Sequence, residues 1–244
     1  MAKYEFRGPR LFVDAPLAAA QEAELAPEQA HYLRQVMRLG DGAEVLAFNG
    51  RDGEWLARIA ATGKRGAVLR PQKQIRPQPE TFGPAYAFAP LKQARLDYMV
   101  QKAVEMGASR LSPVLTQFTQ VNRMNMDRMR ANAIEAAEQC GILALPAIDE
   151  PSAFQKWLAS QENTIVFCDE DSTSSTSLED LRRVKARELT VLVGPEGGFS
   201  EDERRALLAR DRVIRLSLGP RILRADTAAV AALALVQAAC GDWR

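Results

Sequence analysis

The sequence predicts an α/β protein in which a small β-rich unit precedes a larger unit with a parallel sheet and helical crossovers. Three observations support this prediction. Apolar runs alternate with tight-turn residues from Glu44 to Arg70, several prolines then interrupt the pattern, and short apolar runs alternate with helical stretches to the end. We expect the β-rich unit at 1–73, a linker at 74–84 and the larger unit at 85–244.

Turn chemistry indicates the β-rich unit. The stretches "NGRDG" and "TGKRG" separate "EVLAF", "EWLARIAA" and "AVLR", and Asn-Gly and Asp-Gly supply the positive φ angles that tight hairpins need. We therefore expect a β meander. The preceding "APEQAHYLRQVMRLGDG" is typical of a short helix, because Pro27 is allowed in the first turn and Gly40 suits a stop.

The larger unit is predicted from five short apolar runs. These are "AYAFA", "RLSPVL", "TIVFC", "TVLV" and "VIRL", and helical segments separate them, as in a parallel sheet with crossovers. Apolar residues of the first helix fall at i, i+3, i+4, i+7 and i+8, which is the spacing of a face that packs on a core. They are Leu96, Met99, Val100, Ala103 and Val104.

The last helix, "ADTAAVAALALVQAAC", is apolar nearly all round. Such a helix must be buried on more than one side, either inside its own domain or against a second subunit.

The composition is that of a globular protein, with 244 residues of which 47% are hydrophobic and 26% charged. The N-terminus lacks the apolar core of a signal peptide, and no apolar run has membrane length, so we expect a soluble, cytoplasmic protein. Cys140, Cys168 and Cys240 lie far apart without CxxC spacing. We expect buried free thiols, with neither a zinc site nor a disulfide framework.

The net charge of +1 conceals a strong segregation along the chain. Residues 131–180 hold 1 basic and 10 acidic side chains, whereas 81–130 hold 7 and 3 and 181–244 hold 12 and 8. Arg-rich segments of this kind can present a cationic face that phosphates bind. Solvated charge on helix surfaces explains the same pattern equally well, so both interpretations stay open.

The stretch "LVGPEGGFSEDE", residues 192–203, joins an apolar strand to a helix through a glycine turn. Ser200 and Glu203 match the S-x-x-E capping box that opens a helix. Backbone N–H groups exposed at such a turn can bind an anion or the edge of a planar ligand. The turn lacks the Lys-Ser/Thr pair of a P-loop and comes too late for a Rossmann fingerprint. A ligand-binding turn and a purely structural one both stay open.

A second strand, in "VIRLSLGPRILR", also runs into Gly-Pro. Parallel strands deliver their C-terminal loops to the same edge of a sheet, where ligands bind, so we expect the two turns to form one pocket. Its apolar walls, suited to a flat aromatic ring, would be Leu216, Leu218, Ile222 and Leu223. Arg224 and Asp226 would stand at the rim.

Together, "LVGPEGGFSEDE" and "LSLGPRILRADTAA" resemble the paired signature of SPOUT methyltransferases. The motif Gly-Pro-Arg-Ile-Leu-Arg is similar to that of the ribosomal small-subunit methyltransferase E family. The similarity extends to "QKAVEMGASRLSPVLTQ", "EAAEQC" and "HYLRQVMRLGDG", and so covers most of the chain. It implies a PUA-like β-barrel followed by a SPOUT-type parallel sheet with a C-terminal trefoil knot. It also implies a homodimer, with Val230, Leu233, Ala234 or Gln237 expected at or near the seam.

Members of this family methylate N3 of a uridine in 16S ribosomal RNA with S-adenosylmethionine, and the resemblance implies the same activity here, on RNA that is part of a small-subunit particle. The cofactor would then contact both glycine turns, at Gly194, Pro195, Glu196, Gly197, Gly198, Leu216, Ser217, Leu218, Gly219, Ile222 and Leu223. One alternative is a SPOUT methyltransferase that acts on another RNA base or on a ribose 2′-hydroxyl. Another is a non-catalytic RNA-binding or ribosome-assembly protein whose glycine turns are structural.

Methyl transfer from a sulfonium depends on positioning and needs no metal or covalent intermediate. The proton on uracil N3 must leave, but His31, the single histidine, lies in the β-rich unit and is expected to be structural. Arg224 is the leading catalytic candidate, because its planar fork can bond a uracil carbonyl and stabilise negative charge on the ring. A solvated salt bridge is the alternative role. Asp226 or Glu196 can accept the proton, unless Asp226 only caps the last helix.

RNA contacts are expected from basic side chains of the β-rich unit, which would bind phosphates and fix position, although ordinary surface charge is equally open. They are Arg34, Arg38, Lys64 and Arg65. A uridine inside folded RNA must also be flipped out to present N3. The chain departs from the family pattern at Asp226, where Glu is usual, at Gly141-Ile142, where Gly-Arg is usual, and at "TQFTQVNRMN", where an "ERS"-like stretch is usual.

Overall fold

The structure is a computed structural model that describes residues 8–63, 66–80, 83–121, 123–169 and 178–243. The chain forms two compact units. The first comprises Met1–Glu80 and Ala137–Ala144, and the second comprises Thr81–Ala136 and Leu145–Arg244. No helix in the described part of the chain has the length and apolar character needed to span a membrane.

The first unit is built on a five-stranded sheet with the strand order β1-β3-β4-β5-β2. Its strands are β1 (Arg10–Phe12), β2 (Ala23–Glu24), β3 (Glu44–Phe48), β4 (Glu54–Thr62) and β5 (Gly66–Arg76). The predicted meander is confirmed, because β3, β4 and β5 pair antiparallel in succession. Side chains from all five strands pack into one core with the helix between β2 and β3, including Leu11, Ala23, Leu33, Val45, Ile59 and Leu69.

The short helix of this unit starts as predicted but stops earlier. Helix α1 (Pro27–His31) has Pro27 in its first turn and continues as a π-helical turn over Tyr32–Val36. Arg38, with φ of 54°, takes the left-handed conformation after it. Gly40 was expected to end the helix and has no positive φ, so that expectation was wrong.

Strand β5 is longer than the turn pattern indicated. It continues through Pro71 to Arg76, where it pairs with Glu54 of β4 across two register irregularities. The first residues of the expected linker therefore belong to the sheet. Proline lacks an N–H donor, and a register irregularity tolerates that loss, which explains why Pro71 does not end the strand. The domain boundaries themselves stay a prediction.

A buried ion cluster joins β1, β4 and β5 of this sheet. The Glu54 carboxylate is fully buried and accepts hydrogen bonds from Arg10 Nε at 2.7 Å and from Arg76 Nε and Nη2 at 2.7 and 2.8 Å. Arg76 Nη1 also donates to the carbonyl oxygen of Gly141 at 2.9 Å, and Arg10 Nη1 donates to that of Glu138 at 2.7 Å. Burial lowers the pKa of Arg76 to about 10. Because water no longer solvates these buried charges, the ion pairs and hydrogen bonds to their partners must compensate for the cost of desolvation.

The second unit contains a sheet with the strand order β12-β10-β11-β6-β7-β8, in which every neighbouring pair is parallel. Its strands are β6 (Ala85–Phe88), β7 (Arg110–Leu115), β8 (Ala147–Ile148), β10 (Thr164–Cys168), β11 (Leu189–Val193) and β12 (Val213–Leu216), and β9 (Ser152–Ala153) pairs with β7. The predicted parallel sheet is confirmed, and each of the five predicted apolar runs supplies a strand. The order places β10 between β11 and β12.

Helices cover this sheet. They are α2 (Gln93–Glu105), α3 (Met126–Cys140), α4 (Phe154–Ala159), α5 (Leu178–Arg182), α6 (Glu201–Leu208) and α7 (Ala225–Cys240), with a 3₁₀ turn at Ala186–Glu188. The predicted apolar stripe of α2, Leu96 to Val104, is buried, as an amphipathic surface helix requires. The trefoil knot implied by the resemblance stays a prediction.

Helix α7 corrects the expectation for two residues. Leu233 and Gln237 were expected at or near a subunit seam, but both are buried inside the chain, so neither lies on its surface. Gln237 Nε2 donates to the carbonyl oxygen of Met106 at 2.7 Å, so this polar side chain serves the packing of α7 against the end of α2.

The expectation that all three cysteines are buried was also wrong, because Cys140 is exposed.

Replacing Glu54 with Gln should destabilise the protein strongly. The substitution keeps the shape of the side chain but leaves Arg10 and Arg76 without the buried charge that compensates them. We expect the free energy of unfolding to fall by about 3–5 kcal/mol, as for other buried pairs that lose one partner. Urea denaturation measures it.

Glu44→Gln is the matched control, because Glu44 makes an exposed pair with Arg58 in the same sheet. Its cost should stay below about 1 kcal/mol. Equal costs for the two variants would contradict the importance that we assign to the cluster.

Candidate functional site

The carboxyl ends of β10, β11 and β12 enclose a cavity of about 260 Å³. Since the three strands are parallel neighbours, their following loops emerge at one edge of the sheet. Every residue that was expected to contact a cofactor lines this cavity, namely Gly194, Pro195, Glu196, Gly197, Gly198, Leu216, Ser217, Leu218, Gly219, Ile222 and Leu223. The two glycine turns therefore form one pocket, as the parallel-sheet rule predicted.

The first turn is compact and has no room for larger side chains. Gly198 has a φ of 71° and its N–H donates to the carbonyl oxygen of Pro195 at 2.9 Å, which closes a tight turn. A Cβ on Gly194 would lie 2.5 Å from a ring carbon of Phe199, and a Cβ on Gly197 would lie 3.3 Å from Cβ of Phe118. The glycines thus let the backbone itself form the cavity wall.

The predicted capping box follows this turn. Ser200 Oγ accepts from the N–H of Glu203 at 3.3 Å, and the Glu203 carboxylate accepts from the N–H of Ser200 at 3.0 Å. The other Glu203 oxygen accepts from the N–H of Gln117 at 2.8 Å, in the loop after β7. The buried carboxylate therefore fixes α6 and two loops at the same edge.

The second turn supplies the apolar walls. Gly219 takes a φ of 98°, which residues other than glycine rarely adopt. Leu216 is buried at the base of the cavity, Leu218 and Leu223 are half-buried, and Ile222 is 91% exposed at its mouth. A flat, partly apolar ligand suits such a lining.

The end of β10 forms a part of the cavity that was not predicted from the sequence. Phe167, Cys168 and Asp169 line it between the two glycine turns, together with Arg204 of α6. Asp169 is buried and accepts from Arg204 Nη2 at 2.8 Å and from Arg215 Nε at 2.9 Å. The run "TIVFC" was already assigned to a strand, so the same edge rule applied to it would have found these residues.

The Cys168 thiol and the Tyr86 hydroxyl both hold their protons. Burial raises the pKa of the Cys168 thiol to about 12, so it presents no thiolate near neutral pH. Burial also raises the pKa of Tyr86 well above its ordinary value, and its hydroxyl donates to Met99 Sδ at 3.1 Å. Neither group is suited to accept a proton from a substrate.

Arg224 and Asp226 flank the cavity, whose lining includes their neighbours Leu223 and Ala225. Arg224 is exposed at the N-cap position of α7 and makes no capping bond with its side chain. Asp226 lies inside the first turn, where Oδ1 accepts from the N–H of Thr227 at 2.9 Å. Asp226 is therefore not the N-cap residue of α7, although the alternative role considered for it was to cap this helix. Glu196, the other suggested proton acceptor, forms an exposed ion pair with Arg95 of α2.

The basic residues proposed to contact RNA belong to the first unit. Arg34 Nη1 donates to the carbonyl oxygen of Gly66 at 3.0 Å, and Arg38 is exposed. Lys64 and Arg65 lie outside the described residues. His31 is exposed in the last turn of α1 and does not line the cavity.

Comparison with known proteins agrees with this architecture. Residues 80–237 match the family model described as an RNA methyltransferase domain, and residues 25–72 match the RNA methyltransferase PUA domain. A structure of a ribosomal RNA small subunit methyltransferase E from Neisseria gonorrhoeae, bound to S-adenosyl methionine, superposes with a TM-score of 0.87 at 25% identity, covering 98% of this chain and 100% of that one. A protein of Legionella pneumophila in complex with bound SAM gives 0.84 at 26% identity, covering 96% and 98%.

The predicted fold class, a PUA-like domain followed by an α/β methyltransferase domain, is confirmed by these matches. Among curated proteins, ribosomal RNA small subunit methyltransferase E of Rickettsia conorii is 32% identical over 230 residues, which cover 93% of this chain and 94% of that protein. With a methyltransferase model over well more than half of its length and a relative this similar along nearly all of it, the chain belongs to the ribosomal RNA small subunit methyltransferase E family.

Proposed function

We propose that the protein transfers the methyl group of S-adenosylmethionine to N3 of a uridine in 16S ribosomal RNA, and that it acts in the cytoplasm on a small-subunit particle. The observation that carries the proposal is the single cavity formed by both glycine turns in a member of this family. Two structural neighbours with the same fold were solved with this cofactor bound.

The cavity fits such a cofactor. Apolar walls from Leu216, Leu218 and Leu223 suit the adenine ring, and the backbone of Gly194 to Gly198 offers N–H and carbonyl groups to its edge. The absence of side chains at Gly197 and Gly219 leaves the cradle open. When bound, the cofactor supplies an activated methyl group, and the protein contributes position and electrostatic stabilisation.

Arg224 is the proposed catalytic residue. Its guanidinium is exposed beside the cavity and makes no capping bond, so it can turn toward a bound uracil. Two donors of its fork can bond a carbonyl oxygen of the base and stabilise the negative charge that develops as N3 loses its proton. Asp226 is the better placed acceptor of that proton, because Glu196 is already paired with Arg95.

Analysis of modified nucleosides tests the reaction itself. Small-subunit RNA from a deletion strain should lack one N3-methyluridine, and the restored gene should bring it back. A different missing modification, such as a ribose methylation, would assign the enzyme another target. An unchanged nucleoside profile would contradict the proposal.

Cofactor binding should depend on the glycines of both turns. Gly219→Val forces a β-branched side chain into the left-handed region, and Gly197→Val pushes against Phe118. We expect each to weaken S-adenosylmethionine binding at least about tenfold by calorimetry, because about 1.4 kcal/mol of local distortion suffices.

Gly42→Val is the control for backbone strain. Gly42 has a φ of 81° and, like Gly219, no atom within 4 Å of a Cβ, but it does not line the cavity. Its variant should bind the cofactor normally. Unchanged affinity in both cavity variants would remove this pocket from the proposal.

Arg224→Ala should spare cofactor binding and reduce kcat for particles by about 10²–10³, the range for losing one hydrogen-bond donor to developing charge. Arg224→Lys should rescue little, because an ammonium does not reproduce the planar fork. Arg205→Ala, at an exposed ion pair of α6, is the control and should leave turnover unchanged. Normal turnover of Arg224→Ala would exclude the catalytic role.

We further propose a homodimer that uses the half-buried face of α7. Since Leu233 and Gln237 are internal, this face consists of Val230, Ala231, Ala234 and Leu235. An apolar surface of this kind is typical of a subunit contact. Light scattering should therefore show twice the chain mass of 26.9 kDa.

Ala234→Glu should shift the protein toward monomer, since a buried carboxylate without a partner is strongly disfavoured. Leu208→Glu, at an exposed apolar position of α6, is the control and should stay dimeric. Circular dichroism verifies that both variants fold. A wild type that is monomeric at micromolar concentration would exclude the dimer.

A further inference from the structure

Phe118 is an exposed aromatic side chain beside the cavity turn. It follows β7, whose carboxyl end lies at the same edge of the sheet as the cavity because β7, β6 and β11 are parallel. The side chain is 45% exposed, so it contributes little to the core. Its Cβ and Cγ approach to 3.3 and 3.8 Å the position that a Cβ on Gly197 would occupy. Because Gly197 also lines the cavity, the ring stands one residue away from it.

The backbone that carries Phe118 is held firmly. Thr119 N–H donates to the carbonyl oxygen of Thr116 at 3.1 Å, and Thr116 N–H donates to Thr119 Oγ1 at 2.9 Å, so Phe118 lies near the tip of a closed turn. Gln117 N–H donates to the buried carboxylate of Glu203. Both hydrogen-bonded neighbours thus fix the position of the ring relative to the cavity turn.

The Phe118 ring is exposed on a turn whose neighbouring residues are fixed by hydrogen bonds, so it is available to a ligand beside the cavity turn. Its burial would have stabilised the fold, and here that stabilisation is forgone. Proteins that bind unstacked RNA bases place aromatic side chains in this way, because stacking on a ring replaces the contacts that a base loses when it leaves its helix. A pyrimidine that enters the active site must leave its stack to present N3.

We propose that Phe118 stacks on the target uracil and positions it beside the cofactor turn. This proposal rests on the proposed function, since it names the residue that receives the base of that same reaction. The ring offers an apolar face without hydrogen-bond preference. It therefore holds the plane of the base while Arg224 donates hydrogen bonds to a carbonyl oxygen of the base. Phe118 is therefore a substrate-positioning residue, and it contacts the wall of the cofactor cavity at Gly197.

Steady-state methylation of small-subunit particles by the full-length protein tests this role. Phe118→Ala should raise KM for the particle about 10- to 100-fold, which corresponds to the loss of one base–aromatic stack. The kcat and the affinity for S-adenosylmethionine should change less than about twofold, because stacking contributes to binding and not to the chemical step. Phe118→Tyr should restore KM, whereas Phe118→Leu, apolar but not aromatic, should not.

Trp243→Ala is the matched control. Trp243 is an exposed aromatic residue of the same unit, just beyond α7, whose end contacts Met106 near the amino ends of the strands. Its removal should leave KM unchanged, and unaltered cofactor affinity in all variants shows that they fold.

The outcomes separate the two proposals. A KM for Phe118→Ala within twofold of wild type, or full rescue by Phe118→Leu, would overturn the stacking role while the methyltransferase activity stands. A wild type that binds the cofactor but methylates no uridine would overturn both.

Discussion

The Glu203 carboxylate holds together the edge of the sheet on which the proposed site depends. One oxygen caps α6 through Ser200, and the other accepts from the backbone of Gln117, so the loop after β7 and the turn after β11 share one buried anion. Charge-assisted bonds to backbone N–H groups are stronger than neutral ones, and burial strengthens them further. The positions of Gly197 on one side and Phe118 on the other follow from this anchor.

Around that anchor, the cavity divides its tasks between backbone and side chains. The glycine turns present backbone atoms, because a Cβ at Gly194 would meet the ring of Phe199 and a Cβ at Gly197 would meet Cβ of Phe118. The apolar walls come from the second turn, and a buried Asp169, paired with Arg204 and Arg215, closes the space between the turns. The proposed catalytic groups, Arg224 and Asp226, stand outside this lining, where Arg224 is exposed and Asp226 is half-buried.

The two units solve the problem of buried charge in the same manner. In the first, Glu54 is surrounded by two arginines, and in the second, Asp169 is also bound by two. Two arginines around a buried carboxylate compensate for its desolvation and restrict the geometry of the elements that carry them, which are β1 and β5 around Glu54 and β12 and α6 around Asp169. Because Asp169 lines the cavity, its ion pairs also help to fix the shape of the cavity.

The sequence by itself determined what depends on local periodicity. The strands, the buried stripe of α2 and the capping box at Ser200 could be predicted, because each depends on spacings of a few residues. The pairing of the two glycine turns could also be predicted, because parallel strands deliver their following loops to one edge of the sheet. Only the tertiary structure decided that β10 inserts between β11 and β12, that Leu233 and Gln237 face inward, and that Phe118 meets Gly197. Uniformly apolar strands can be ordered in several ways. When a helix is apolar all round, its sequence does not show which face packs inside the chain. Those choices are made by packing between residues far apart in the chain, which no local pattern records.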